Sequence, residues 1–231
     1  MNPIDTRSLV DRVYGYLLNR IITGAIKYGD TINIKGIARE LDVSTMPVRE
    51  AVKRLEFERM VSIKPRSSCR VSMPSRTMIL EVYELREALE TYAVTKRVGR
   101  VSRETLEELR RIVEKMRQLD SETSVEEREK KAIELDRDFH TVICALAGND
   151  FLNDFYRQLS LHVNMSLIHE KTYHKLETQY AESHAEILRC LEQDTAHALD
   201  VLKKHFTNVT DLLQGNGAGA ANGHEAAGDG S

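Results

Sequence analysis

The chain has 231 residues, 41% of them hydrophobic, which suffices for one large domain or two modest ones with buried cores. Its three cysteines are odd in number and far apart, which argues against a disulfide framework and for a reducing compartment. No window approaches about 18 uncharged apolar residues, and the first residues lack the apolar core of a signal peptide. We therefore expect a cytoplasmic protein without a membrane segment.

Charge is distributed unevenly along the chain. Residues 1–75 carry 13 Lys and Arg against 8 Asp and Glu, whereas the remainder carries 20 against 28. The first part has a net charge of +5 and the second of −8. This polarity favours a basic module that binds a polyanion, joined to an acidic module with another task; the alternative is chance clustering.

The N-terminal part, residues 1–74, has the pattern of a helix-turn-helix followed by a hairpin. Ser44 is placed as the N-cap of the third helix, and Pro47 falls in the first turn of that helix, where a missing N–H breaks no intrahelical bond. Apolar periodicity and turn residues predict helices over 8–24, 34–41 and 45–58, and strands over 60–64 and 69–73.

The third helix is predicted to present one face to DNA. Val48, Val52 and Leu55 form its buried stripe, which leaves the opposite face for solvent or DNA. The first turns of such a helix can enter a major groove, while basic residues of the helix and the hairpin hold phosphates. The alternative is a small helical subdomain with a solvated basic face.

Residues 75–214 show almost uninterrupted helical periodicity, which predicts an all-α domain. The expected fold is therefore mainly α, a winged helix-turn-helix followed by a six-helix bundle. Residues 215–231 offer almost nothing to bury, so we predict a disordered tail. The six predicted helices span 76–99, 102–120, 126–147, 150–170, 173–192 and 195–213.

Residues 29–65 read GDTINIKGIARELDVSTMPVREAVKRLEFERMVSIKP and carry a family resemblance. The run resembles the winged helix-turn-helix of GntR-type bacterial transcription regulators, most specifically in its S-x-x-P-V-R-E-A segment. Thr45 stands where the family usually has arginine, Ser68 where the wing has glycine, and Gly36 where the family has another residue. The resemblance and the helix faces together predict DNA contacts by Arg39, Ser44, Thr45, Met46, Arg49, Arg54, Lys64, Arg66, Ser68 and Arg70.

Three later segments read YELREALETYAV, LDRDFHTVICALAGN and ESHAEILRCLEQDTAHALDVLKKHF. They resemble the first helix, the metal-binding helix and the last two helices of the ligand-binding domain called FCD, after the fatty-acid regulator in which it was described. Six helices rather than seven place the chain nearer the shorter subgroup of the FadR subfamily that includes the vanillate-type regulators. The two resemblances cover nearly the whole chain except the tail.

Four residues of the C-terminal part are candidate metal ligands. Asp136 and His140 are four residues apart and project from one helical face. His184 interrupts the apolar stripe of a second helix, and His205 lies on a third. Any one of these histidines alone reads as a core or surface residue, but together they match the FCD positions. A carboxylate and three imidazoles suit a divalent transition metal, zinc first, with nickel, manganese or iron as alternatives.

The same domain contains candidate effector-binding residues. Arg86 interrupts the apolar stripe of the first helix, and an inward guanidinium needs an anion, either a carboxylate of a small effector or an internal glutamate. Four protein ligands leave two positions of a six-coordinate metal for water or that carboxylate. His162, Ser166 and His169 share a helical face that can line the same cavity, unless they are simply exposed polar residues.

We therefore expect a metabolite-responsive transcription regulator, a repressor that binds palindromic operator DNA as a homodimer and responds to a small carboxylic acid. The chain lacks H-E-x-x-H, Glu-x-x-His, a phosphate loop and a nucleophile elbow, so it is not expected to be an enzyme. The alternatives are a metal-dependent enzyme built on a helical bundle and a DNA-binding protein with a purely structural metal.

Overall fold

Nine helices and one two-stranded sheet form the part of the chain that the computed structural model describes, residues 8–64, 68–97, 100–119, 124–170, 173–193 and 197–214. Side chains are described there except at 68, 126 and 163–180. The fold is mainly α, which confirms the predicted class. In chain order the elements are α1 (Leu9–Ile22), α2 (Ile34–Glu40), α3 (Thr45–Phe57), β1 (Val61–Lys64), β2 (Ser68–Val71), α4 (Arg76–Arg97), α5 (Arg103–Arg117), α6 (Val125–Ala145), α7 (Asp150–Glu170), α8 (Tyr173–Glu192) and α9 (His197–Gln214).

The first of two hydrophobic cores lies among α1, α2, α3 and the hairpin. α1 begins with a capping box, because the Ser8 hydroxyl accepts a hydrogen bond from the Asp11 N–H (3.1 Å) and the Asp11 carboxylate accepts one from the Ser8 N–H (3.2 Å). α3 packs its predicted stripe against α1, with Val48, Val52 and Leu55 at most 1% exposed. This packing leaves the opposite face of α3 at the surface.

The hairpin pairs β1 and β2 in antiparallel register, with Val61 opposite Val71 and Lys64 opposite Ser68. An isolated bridge between Thr31 and Arg70 ties the segment before α2 to β2. β1 begins one residue later than predicted, because fully buried Met60 belongs to the turn that follows α3, and β2 begins one residue earlier and ends two residues earlier than predicted. The turn residues 65–67 lie outside the described residues.

The second core is formed by the six helices of the C-terminal part. Their number and order match the prediction, and no boundary differs by more than three residues. α4 is central because it packs against α6, α7 and α9, while α5 packs against α6 and α8. Ser102 and Ser124 cap α5 and α6 by accepting hydrogen bonds from the N–H groups of Thr105 and Glu127.

α6 and α7 meet in a tight turn at Gly148, whose φ of +60° favours glycine. Arg97, the last residue of α4, donates from Nε to the Leu146 carbonyl (2.8 Å) and fixes this turn. A Cβ at position 148 would lie 3.2 Å from the Arg97 guanidinium. The turn thereby sets the direction in which α7 runs along α4.

Within the described residues, none of the helices combines the length and apolarity needed to cross a membrane. The predicted tail, residues 215–231, lies outside the described residues and its disorder stays a prediction. The division of the chain into domains of residues 1–74 and 75–214 also stays a prediction, although the two hydrophobic cores fall on either side of position 75.

Candidate metal centre and nucleic-acid interface

The four predicted ligands come together from α6, α8 and α9. One potential ligand atom from each lies within 4.8 Å of the others, and all four residues are buried. The Nε2 atoms of His140 and His184 are 3.2 Å apart. Oδ1 of Asp136 lies 3.5 Å from the first of these nitrogens and 3.3 Å from the second. His205 completes the cluster, with its ring centroid 4.7 Å from that of His184.

Two of the imidazoles are oriented by hydrogen bonds on their outer nitrogens. Nδ1 of His140 is 2.6 Å from Oε2 of Glu90, and Nδ1 of His205 is 3.2 Å from the Ser183 hydroxyl. The interaction with Glu90 leaves Nε2 of His140 in the cluster, which is the arrangement that prepares an imidazole for a metal, and the Ser183 contact leaves Nε2 of His205 available as a ligand. Glu90 and Ser183 were not predicted from sequence, although Glu90 follows Arg86 by one helical turn and shares its face.

Glu90 joins three helices through its two carboxylate oxygens. While Oε2 contacts His140 of α6, Oε1 accepts a hydrogen bond of 2.9 Å from the Tyr156 hydroxyl of α7. Glu90 and Tyr156 are at most 1% exposed. A carboxylate buried this deeply requires partners, and these hydrogen bonds supply them.

Arg86 lies beside the cluster and is 2% exposed. Its Nε is 3.5 Å from Oε1 of Glu90, and its Nη2 is 3.6 Å from Oδ2 of Asp136. Of the two anions expected for Arg86, the internal glutamate is therefore present, as an ion pair with Glu90. These distances are nevertheless long for hydrogen bonds, and within the described residues Nε has no hydrogen-bond acceptor. The guanidinium also lies over the ring of Tyr83, 5.2 Å from its centroid.

The surroundings shift the pKa values of Asp136 and His205 in directions that suit ligation, and they shift the pKa of His140 in the opposite direction. Burial acts to raise the pKa of Asp136, but His140, His184 and Arg86 hold it well below its usual value. Burial, reinforced by the neighbouring histidines, holds the pKa of His205 well below its usual value, so this imidazole is neutral at pH 7. Burial acts to lower the pKa of His140, but the Glu90 and Asp136 carboxylates raise it by more. The pKa of His140 is therefore above its usual value.

The donor set fits a divalent transition metal. Three imidazoles and one carboxylate are buried together, and the Nε2 atoms of His140 and His184 already lie at the same point. Nitrogen donors of this kind favour zinc or its transition-metal neighbours over calcium or magnesium. The residues Asp136, His140, His184 and His205 therefore form a buried cluster that could hold a metal ion.

The predicted DNA face of α3 is at the surface. Thr45, Met46 and Arg49 are exposed, and the Met46 side chain reaches 63%. Ser44 occupies the N-cap position, but in the described structure its hydroxyl makes no capping hydrogen bond and is exposed. Arg39 of α2 is also exposed. An exposed N-terminal turn with free polar groups is what insertion into a major groove requires.

On the hairpin, Lys64 is exposed, and Arg70 is exposed although its Nη1 donates to the Gly29 carbonyl (3.0 Å). That contact holds the Arg70 side chain along the edge of the hairpin. Arg66 and the side chain of Ser68 lie outside the described residues, so their predicted DNA contacts stay predictions.

Arg54 does not join the predicted DNA face. Its guanidinium lies 3.2 Å from Asp11 and 3.3 Å from Glu58, and it stacks over the Tyr14 ring at 3.8 Å. These contacts hold α3 against α1, so we remove Arg54 from the proposed DNA contacts. The sequence could not distinguish the two roles, because Asp11 is 43 residues away.

His162 is not brought to the cluster either. It lies beside Glu58 and Arg59, where burial and then the Arg59 charge lower the pKa of the imidazole. The physical reason is that α7 turns this part of its surface towards the N-terminal core, into which Leu161 packs. We therefore no longer assign His162 to effector binding. The side chains of Ser166 and His169 lie outside the described residues.

The winged helix, its exposed recognition helix and the attached helical domain define a DNA-binding transcription regulator. Family models agree with this class: that of the bacterial regulatory proteins, gntR family, matches residues 9–71, and that of the FCD domain matches residues 81–208. The chain belongs to the GntR family and carries an FCD domain.

Individual relatives are distant. The HTH-type transcriptional regulator McbR of Escherichia coli K12 is 28% identical over 160 residues, 69% of this chain and 71% of that protein. The gluconate operon transcriptional repressor of Bacillus subtilis 168 is 25% identical over 211 residues, 88% of this chain and 84% of that protein. The chain is thus similar to transcription regulators, not to enzymes.

Solved structures show the same fold. A GntR transcriptional regulator from Rhodococcus sp. RHA1 matches with a TM-score of 0.78 at 22% identity, covering 90% of this chain and 99% of that one. E. coli McbR/YncC matches with a TM-score of 0.71 at 24% identity, covering 91% and 99%.

Proposed function

We propose that the chain is a cytoplasmic, metabolite-responsive repressor that binds palindromic operator DNA as a homodimer and responds to a small carboxylic acid. A divalent transition metal, zinc first, is held by the cluster of Asp136, His140, His184 and His205. The relative named as a repressor supports the sign of regulation. The relationship to DNA-binding regulators supports operator binding, and helix-turn-helix proteins generally bind two symmetrical half-sites as dimers, which supports two copies.

The observation that carries the proposal is the position of Arg86 beside the cluster. A buried guanidinium with an Nε lacking a hydrogen-bond acceptor among the described residues offers a donor to an incoming carboxylate. When bound, the metal supplies a Lewis acid that attracts an oxygen anion. Asp136 and the three histidines hold that charge in place, while Arg86 orients the second carboxylate oxygen.

Contacts made by α7 suggest how the sensory domain reaches the DNA-binding domain. Tyr156 of α7 donates to Glu90, which holds His140, whereas Leu161 of the same helix packs against the N-terminal core. His162, the next residue, lies against Glu58 and Arg59 at the end of α3. A displacement of Tyr156 would therefore move a helix that contacts both domains, and we propose that α7 couples effector binding to DNA affinity.

Metal content and operator binding test this proposal together. An operator is first selected from random double-stranded DNA, and its affinity is then measured at fixed salt with acetate, succinate or citrate, before and after chelation. We expect at least one carboxylate to weaken operator binding in the zinc-loaded protein and to have no effect after chelation. Metal that binds without any carboxylate response would favour the structural alternative.

Alanine variants of the cluster provide the residue-level test. His184→Ala and His205→Ala should each lose most of the bound zinc while retaining the helical fold, because all ligands complete one site. His197→Ala is the matched control, since His197 begins α9 and is exposed. Full zinc occupancy in His184→Ala, with the carboxylate response intact, would contradict the proposed centre.

A further inference from the structure

The first turn of α3 presents an apolar side chain on the face assigned to DNA. Met46 is 63% exposed, whereas Pro47 and Val48, the next two residues, are buried. Met46 lies three residues before Arg49 and Thr45 lies four residues before it, so these three side chains share one face of the helix. A single exposed methionine is common on protein surfaces, but this one lies at the end of the helix that enters the groove.

The same turn lacks the side chains that recognise a base through two hydrogen bonds. Residues 44–48 read STMPV. Arginine and lysine form such pairs with guanine, and asparagine and glutamine form them with adenine. Arg49 is the first residue of α3 with that capacity. Ahead of it, Met46 offers a thioether and Thr45 offers a methyl group beside its hydroxyl. The tip of α3 is therefore better suited to apolar contact with a base than to paired hydrogen bonds.

Thymine is the base that offers an apolar group in the major groove. Its C5-methyl group lies at the edge of the groove, where guanine, adenine and cytosine present hydrogen-bond donors and acceptors. Apolar side chains are the usual partners of that methyl group. The exposed side chain of Met46 therefore fits thymine better than it fits the other three bases.

The acidic neighbour of Met46 on this face is already paired. Glu50 lies four residues after Met46, and its Oε1 accepts a hydrogen bond of 2.9 Å from Nζ of Lys53. The ammonium group offsets the repulsion between the Glu50 carboxylate and DNA phosphates. Met46 can therefore approach the edge of the groove although an acidic residue lies one helical turn away.

We propose that Met46, with the methyl group of Thr45 beside it, contacts the C5-methyl group of one thymine in each operator half-site. Arg49 then binds a guanine within one or two base pairs of that thymine. This spacing follows because three or four residues of helix span about 4.5–6 Å, while successive base pairs are about 3.4 Å apart. The inference rests on the proposed operator binding, and it names the base that the tip of α3 recognises.

Replacement of thymine by uracil in the selected operator tests the contact, because uracil lacks only the C5-methyl group and pairs with adenine as thymine does. Each thymine is replaced in turn by uracil in both half-sites, and the affinity of the wild-type protein is measured by fluorescence anisotropy at fixed salt. At one symmetrical pair of positions, within two base pairs of a guanine, the affinity should fall about fourfold for each half-site and about fifteenfold for both. Fourfold corresponds to about 0.8 kcal/mol, as expected for one buried methyl-sized group. An operator that is insensitive to uracil at every position would overturn the inference.

Variants of Met46 show whether this side chain is the one that recognises the methyl group. Met46→Ala should bind the thymine and uracil operators equally, whereas Met46→Leu keeps an apolar side chain and should keep most of the preference for thymine. Phe57→Ala is the matched control, because it removes an apolar side chain that is 83% exposed at the other end of α3 and should leave the preference unchanged. A preference that persists in Met46→Ala would assign the effect to DNA shape, and either that result or loss of the preference in Met46→Leu would overturn the inference.

The selection of an operator from random DNA separates this failure from failure of the proposed function. If no sequence is enriched, the proposed operator binding is itself contradicted. If an operator is enriched but its affinity does not depend on thymine methyl groups, operator binding stands and only the role assigned to Met46 is wrong.

Discussion

Replacing Glu90 by glutamine should weaken zinc binding although Glu90 is not itself a ligand. The substitution keeps the shape of the side chain but removes the charge that lies 2.6 Å from Nδ1 of His140 and 3.5 Å from Nε of Arg86. Loss of a carboxylate behind a ligating histidine typically costs about 10–100-fold in metal affinity. That range corresponds to about 1.4–2.7 kcal/mol.

The same change should destabilise the fold. Both side chains of the Arg86–Glu90 pair are at most 3% exposed, so solvent does not screen them. Removing one partner of a buried pair costs about 3–5 kcal/mol, and Asp136, 3.6 Å from Arg86, keeps the loss near the lower limit. A loss of about 3 kcal/mol in a domain of this size lowers the melting temperature by roughly 10 °C.

Competition with a chromophoric chelator and thermal denaturation measure the two effects of Glu90→Gln. Glu84→Gln is the control, because it makes the same chemical change on the exposed side of the same helix. The control should bind zinc and melt as the wild type does. If Glu90→Gln matched its control in both measurements, the hydrogen bond from His140 to Glu90 would have no part in organising the centre.

Three further predictions concern DNA, the tail and pH. Arg49→Ala should weaken operator binding by about 1–3 kcal/mol, while Lys64→Ala should weaken binding to operator and to random DNA equally. Gel shifts at fixed salt measure both effects, and an unchanged operator affinity in Arg49→Ala would contradict the placement of the recognition helix. Truncation after Gln214 should leave zinc content, DNA affinity and melting temperature unchanged, whereas a fall of several degrees would show that the tail packs on the domain. Zinc affinity should fall as the pH decreases from about 8 to about 6, because neighbouring carboxylates raise the pKa of His140 and protons compete with zinc for the imidazole. In Glu90→Gln the fall should begin at lower pH. A pH-independent affinity would exclude His140 as a ligand.

Local patterns account for what the sequence predicted correctly. Helix periodicity and the polar turns define the element order, because each depends on residues within a few positions of one another. Asp136 and His140 could be paired for the same reason, since four residues separate them on one helix. Joining them to His184 and His205 needed the family resemblance, because periodicity does not say which helix faces are neighbours.

Contacts between distant segments account for what the sequence missed. Glu90 is 50 residues from His140 and 66 from Tyr156, so no periodic signal links them. Arg54 was assigned to DNA because it lies on a basic helix, yet its partner Asp11 lies on another helix. His162 was assigned to the effector cavity from its helical face alone. In each case the side-chain type indicated a need for a partner, and only the packing of helices decided which partner meets it.

α4 connects the proposed functions of the C-terminal domain. One face of this 22-residue helix carries Arg86 and Glu90 against the metal cluster, and the opposite face is at the surface, where Leu85 and Tyr92 are exposed. A carboxylate that binds Arg86 competes with Glu90 and Asp136 for the guanidinium, so α4 is the first helix on which effector binding acts. Because α4 packs against α7, and α7 contacts the N-terminal core through Leu161, a shift of α4 would be passed on to the DNA-binding domain. Such coupling between two sites typically amounts to about 1–3 kcal/mol, which would change operator affinity by roughly 5–150-fold.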